Sequence, residues 1–139
     1  LDLTPDLFLI IPCIGMVLLN NGAAAIAKIF AGTKTTNLTI VNVQLDTTAG
    51  TINASDSGAA TPTTPNPVTG GILSQATNVM TVSHTITPAN NQGLWRRWWL
   101  HFRTDLTEGV AGGSFTDPGI NHDGSGTDVV EFDVIIVEG

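Results

Sequence analysis

Positive charge is scarce in this chain, with five Lys and Arg against twelve Asp and Glu and a formal net charge of −7. Phosphate binding needs a positive field, so this balance argues against nucleic acid as the main partner. Charge of either sign is scarce too, at 12% of residues, about half of what a typical soluble domain carries. So small a charged fraction leaves surface for copies of the chain, or other partners, to cover. Cysteine occurs once, as Cys13, which excludes an internal disulfide framework. Within LIIPCIGM it reads as a small buried hydrophobe. No apolar run reaches the ~20 residues of a spanning helix. The longest, Leu7–Leu19, is broken by Pro12 and Gly15. A signal peptide would need a basic n-region, and Asp2 and Asp6 stand there instead. The run therefore reads as a buried strand or short helix, packed on the core or serving contacts between subunits.

Catalytic and metal-binding patterns are equally thin. His84, His101 and His122 are scattered without ligand spacing. Ser83 and His84, adjacent on a predicted strand, point to opposite faces and cannot pair as nucleophile and base. There is no nucleophile elbow or phosphate loop, and the chain reads as non-enzymatic, with no cofactor or metal. The stretch DPGINHDGSGTD places Asn121, Asp123, Ser125 and Asp128 around glycines. It resembles a loose calcium loop but lacks helical flanks and a terminal Glu, so a solvated turn is the better reading.

What is present organises as one domain over 1–139, all-β, with one short helix near the N-terminus. Ala23–Ala31 spaces Ile26, Ile29 and Phe30 on one helical face, and Gly32 supplies a stop. Asn37–Leu45 reads as a strand buried on both faces or carrying a bulge. Asp46–Gly71, almost wholly Thr, Ala, Ser, Gly, Asn and Pro, reads as a long extended arm. The sequons at Asn37 and Asn53 read as chance matches in Thr-rich sequence. Val79–Thr87 is an alternating strand, Pro88–Gly93 a turn, and the next segment completes an antiparallel hairpin. Asp105–Asp128 reads as a Gly- and Asp-rich connection to a closing strand, Val129–Val137. The pattern predicts an antiparallel β-sandwich.

The stretch GLWRRWWLHFR, Gly93–Arg103, holds every tryptophan and every arginine of the chain. A period of two puts Leu94, Arg96, Trp98, Leu100 and Phe102 on a core face. Trp95, Arg97, Trp99, His101 and Arg103 share the other. Arginine stacked on tryptophan gains about 0.5–2 kcal/mol, and both residues are enriched at interface hot spots. Trp95, Arg97, Trp99 and Arg103 are thus candidates for a contact with another subunit. In the alternative, Glu131 and Asp133 of the closing strand meet Arg97 and Arg103 within one sheet. Single-stranded nucleic acid would also suit such a ladder, against the charge balance.

The segments IPCIGMVLLNN and GTKTTNLTIVNVQ resemble the opening of many small tailed-phage virion proteins. VMTVSHTIT, GLWRRWWLHF and GSGTDVVEFDVII are likewise similar to strands of small phage β-sandwich proteins. The resemblance implies a virion component, such as a capsid decoration (cement) protein or a tail- or fibre-associated subunit. It implies homo-oligomeric contacts and contacts with other virion proteins, with no membrane span. A subunit of a bacterial or archaeal surface filament is the alternative, as is a carbohydrate-binding module with Trp95 and Trp99 as its platform.

Overall fold

Among the described residues the strands form two antiparallel sheets and a small two-stranded ribbon, with one helix beside them. The structure, a computed structural model, describes residues 7–10, 17–56, 66–67, 73–88, 93–103 and 106–138. In chain order the elements are β1 (Leu7–Ile10), β2 (Val17–Leu18), α1 (Asn20–Phe30), β3 (Asn42–Asp46) and β4 (Asn66–Pro67). Then follow β5 (Leu73–Ala76), β6 (Val79–Ile86), β7 (Gly93–Trp95) and β8 (Arg97–His101). The last are β9 (Gly109–Ser114), β10 (Ile120–His122) and β11 (Asp128–Glu138). One sheet has the order β1-β11-β6-β5 and the other β2-β9-β8-β3-β4, while β10 pairs with β7. The all-β class expected from the sequence holds.

The alternation in β6 and β11 explains the first sheet. Val82, His84 and Ile86 are buried along β6, and Val130, Phe132 and Val134 along β11, with Glu131 and Asp133 exposed between them. The second sheet is covered on both sides at its centre, and β3 is buried at every position. On one face Val43 lies opposite Leu100 and Leu45 opposite Trp98. These side chains join Val82, Ile86 and Phe132 of the first sheet in one hydrophobic cluster. On the other face Asn42, Gln44 and Asp46 lie opposite His101, Trp99 and Arg97.

Strand β9 explains why a glycine-rich segment pairs so well. Gly112 lies opposite Trp99 and Gly113 opposite Trp98. A Cβ on Gly113 would sit 2.6 Å from Trp98 Cζ2, and one on Gly112 2.9 Å from Trp99 Cδ1. The glycines are the space into which the indoles of β8 fold. The segment that reads as a connection, Asp105–Asp128, therefore holds β9 and β10, because glycine here serves packing and not a turn.

Three further expectations are corrected. The strand Val79–Ile86 forms no hairpin with the tryptophan segment, since β6 pairs with β5 and β11, in the other sheet. For the same reason Glu131 and Asp133 do not meet Arg97 and Arg103; Asp133 instead accepts a bond from Thr81 Oγ1 at 2.7 Å. The arm expected over Asp46–Gly71 folds back where it is described. Ile52 is buried against Leu19 and Trp99, Asn20 N donates to Ala54 O at 2.7 Å, and Asn66–Pro67 pairs with β3. Residues 57–65 and 68–72 of that arm, and Cys13, lie outside the described residues.

The described parts of the apolar N-terminal run, 7–10 and 17–19, are used at home. Leu7–Ile10 pairs with Glu138–Ile135 of β11, and Leu19 is fully buried with its N–H on Val110 O. Helix α1 starts at Asn20, three residues before the alanine run, and ends at Phe30, with Gly32 at φ +72° behind it as the expected stop. Its first turn is pressed onto β9 through Gly22, where a Cβ would lie 2.6 Å from Val110 Cα.

Candidate functional site

The tryptophan–arginine segment does not run as one strand. Arg96 interrupts it, with its N–H donating to Asp46 O at 2.8 Å and its carbonyl accepting from Phe115 N at 2.9 Å. The interruption resets the period of two. Trp95, on β7, pairs with Ile120 and joins the core cluster that contains Trp98, Leu100 and Phe102. From Arg97 onward the alternation holds, with Trp98 and Leu100 inward and Arg97, Trp99 and His101 on the opposite face.

That opposite face is covered by the chain itself. Trp99 is 1% exposed beneath Leu19 and Ile52, and Trp95 is 3% exposed. The Arg97 guanidinium lies 5.1 Å from the Trp99 ring centroid. Its Nε donates to Asp46 Oδ2 at 3.1 Å, and Asp46 is fully buried. Arg103 lies past the end of β8, half-buried, and its carbonyl accepts from Asn42 Nδ2 at 3.1 Å. Of the four expected contact residues, only Arg97 and Trp99 come together. Neither Trp95 nor Trp99 offers a ring face to a neighbouring subunit or a sugar, because Leu19 and Ile52 close over one and the core encloses the other.

The histidines are spent separately, all of them buried. His101 Nε2 lies 3.2 Å from Gln44 Oε1, beside Trp99 on the covered face. His122 Nδ1 lies 2.6 Å from Asp128 Oδ2, and its Nε2 lies 2.9 Å from Thr87 O. Asp128 thus closes the 117–128 loop onto a histidine. In the same loop Asp123 Oδ1 accepts from Ser125 N at 2.8 Å. The side chain and backbone of Ser125 hold the Asp123 carboxyl below its ordinary range. This is the chemistry of an Asx turn. His84 sits in the core face of β6 between Val82 and Ile86, with no hydrogen-bond partner for either ring nitrogen among the described residues. Burial lowers its pKa, since a charged imidazole would be desolvated there.

An open cleft among the described residues lies elsewhere. A cleft of about 600 Å³ separates α1 from the turn between β5 and β6. Buried Ile40, Val110 and Ala111 line it together with Ile26, Ile29 and Phe30 of α1. Thr77 and Asn78 of the turn contribute polar groups, and no titratable side chain is among the described lining residues. Its rim holds two exposed hydrophobics, Phe30 at 69% and Leu38 at 47%. Lys34 anchors the neighbourhood, bonded to Glu108 at 2.9 Å and lying 5.6 Å from the Phe102 centroid. The helical spacing of Ile26, Ile29 and Phe30 is visible in the sequence. That Phe30 is left over from the core is visible only once β9 fixes where the helix lies.

The chain matches no protein-family model, no curated protein and no solved structure.

Proposed function

We propose that this chain is a non-enzymatic structural subunit of a virion, a capsid decoration protein or a tail- or fibre-associated component. The observation that carries the proposal is the uncharged cleft beside α1, with Phe30 and Leu38 exposed at its rim. An apolar concavity next to exposed aromatic surface is what a chain of few charges uses to adhere to a partner. The virion setting is supported by the resemblance of the N-terminal and C-terminal segments to small tailed-phage proteins.

A two-sheet sandwich suits that role. The reading is supported by the cluster in which Val43, Leu45, Trp98 and Leu100 of one sheet meet Val82, Ile86 and Phe132 of the other. Internal use of Arg97 and Asp46 in an ion pair, and of His122 and Asp128 in a hydrogen bond, also favours a rigid building block. The filament alternative, with a donated N-terminal strand, is weakened because Leu7–Ile10 already pairs with β11 of its own chain. The carbohydrate-binding alternative loses its platform to the burial of Trp95 and Trp99.

Quantitative proteomics of density-gradient-purified particles, from cells in which the native genome expresses the chain, tests the proposal. Many copies per particle are expected. A chain left wholly in the soluble fraction, or recovered as fibres without particles, would overturn it.

A further inference from the structure

We infer that His122 is the doubly protonated centre of a pH-sensitive clasp, which ties the β7–β10 ribbon to the end of β6 and the start of β11. The clasp is closed while the imidazole carries its charge and opens once the ring is neutral. Two hydrogen bonds set the protonation state. His122 Nε2 lies 2.9 Å from the Thr87 carbonyl oxygen, and Nδ1 lies 2.6 Å from Asp128 Oδ2. A carbonyl only accepts, and so does an ionised carboxylate, so each ring nitrogen must donate. The Asp128 side chain is 44% exposed and keeps its charge at neutral pH. A neutral imidazole has one N–H and would turn a bare lone pair on one of these oxygens. The imidazolium satisfies both.

The surroundings hold the charge in place. The His122 side chain is 1% exposed, and burial by itself would expel the proton. Asp128 opposes that with a carboxylate in direct contact. Asp123, next in the chain, adds a second negative group; Ser125 lowers its carboxyl most, and the His122 charge contributes. Strand β7 sets Gly93, which has no side chain, opposite His122. Arg96 follows β7 at the far end of the ribbon, beside Gly119. On β6 the titratable group is His84, which faces the core and resists a proton there. Glu131 and Asp133, farther along β11, are exposed. Among the described residues the ribbon shares no ladder with either larger sheet, so this side chain is a bridge between them. When the second proton leaves, Nδ1 presents a lone pair to the carboxylate, and Asp128 turns to the water it already meets. The folded chain binds this proton more firmly than the unfolded chain. The clasp therefore contributes in full below the ordinary imidazole value of about 6.5, and its contribution is lost as pH rises. His84 acts in the opposite direction.

Long-range proton–nitrogen NMR of the imidazoles, recorded on the full chain from about pH 5.5 to about pH 9, tests the inference. Both His122 nitrogens should still carry protons at about pH 7.5, where an ordinary imidazole is about tenfold more neutral than charged. Asp128→Asn keeps the shape and removes the charge, and its His122 should lose the second proton at a pH about one unit lower. Amide exchange over residues 123–128, corrected for the intrinsic rate, reads the opening. Protection there should fall by up to about tenfold per pH unit once the ring titrates. His122→Gln has no titrating ring, so its protection over the same residues should stay flat with pH. If that variant fails to fold, the Asp128→Asn titration and the wild-type exchange profile still decide the matter. A wild-type ring that is neutral on one nitrogen at about pH 7.5 overturns the inference. So does an Asp128→Asn titration that coincides with wild type, or loop protection that stays constant while His122 loses its proton.

Discussion

Trp98 and Phe132 meet with ring centroids 4.4 Å apart and planes inclined at 45°. Trp98 belongs to β8 and Phe132 to β11, so this contact joins the two larger sheets through their heaviest side chains. Both rings are at most 2% exposed. Trp98→Ala and Phe132→Ala should each cost about 3–5 kcal/mol in urea unfolding. The double variant should lose less than the sum, by about 0.5–1.5 kcal/mol, because one interaction is counted in both singles. Additive losses would mean that the rings share a core without interacting.

The inward direction of Trp98 was legible in the sequence, because a strict alternation runs from Arg97 to His101. The direction of Trp95 was not. Arg96 leaves the ladder to bond with Asp46 and Phe115, and a backbone detour has no signature in side-chain periodicity. Trp99 faces away from the core as the pattern requires, but what covers it comes from distant segments, Leu19 and Ile52. Trp99→Ala is therefore expected to destabilise the monomer itself, where alternation alone suggested an exposed contact. Strand β9 was hidden for a related reason: its glycines answer to the indoles opposite them, and composition cannot report a partner across a ladder. The all-β class and the helix near the N-terminus were readable because each is a local pattern; for Asn37–Leu45 the pattern left double burial or a bulge open, and the strand that is buried at every position starts only at Asn42.

Gly22 lies inside α1, where alanine would ordinarily stabilise a helix by about 1 kcal/mol. Here the packing term opposes that gain. The added methyl would fall 2.6 Å from Val110 Cα, which is backbone and cannot rotate aside. Overpacking of this kind costs about 1–3 kcal/mol. Gly22→Ala should therefore lower the melting temperature despite its better propensity. Gly126→Ala, with nothing within 4 Å, should stay within about 0.5 kcal/mol of wild type.

Asp46 and Arg97 form a pair whose side chains are 0% and 12% exposed. Removing one member leaves the other buried and uncompensated, at a cost of about 3–5 kcal/mol. Asp46→Ala also removes the acceptor of Thr48 N, which donates to Asp46 Oδ1 at 3.0 Å. Asp46→Leu with Arg97→Met removes both charges and should recover most of the loss from either single change. Denaturant melts of the two singles and the double are the measurement. A double variant worse than both singles would show that the pair's attraction exceeds its desolvation cost.

His84 makes a contribution to stability that changes at mildly acid pH. Burial lowers its pKa in the folded state from the ordinary 6.5. Below pH 6.5 the unfolded chain takes up a proton that the folded chain resists, so unfolding is favoured progressively as pH falls through that window. Above 6.5 both states hold a neutral imidazole, and the contribution is constant. His84→Leu removes the titrating group and two ring nitrogens that have no hydrogen-bond partner among the described residues, so the variant should be at least as stable near neutrality. Unfolding free energies of both chains, measured from about pH 5 to about pH 8, should diverge only on the acid side. The comparison isolates His84, because every other side chain is the same in both proteins. A difference that stayed flat across the range would mean that His84 reaches water, or a partner, in solution, and that the core face of β6 is less closed than its neighbours Val82 and Ile86 indicate.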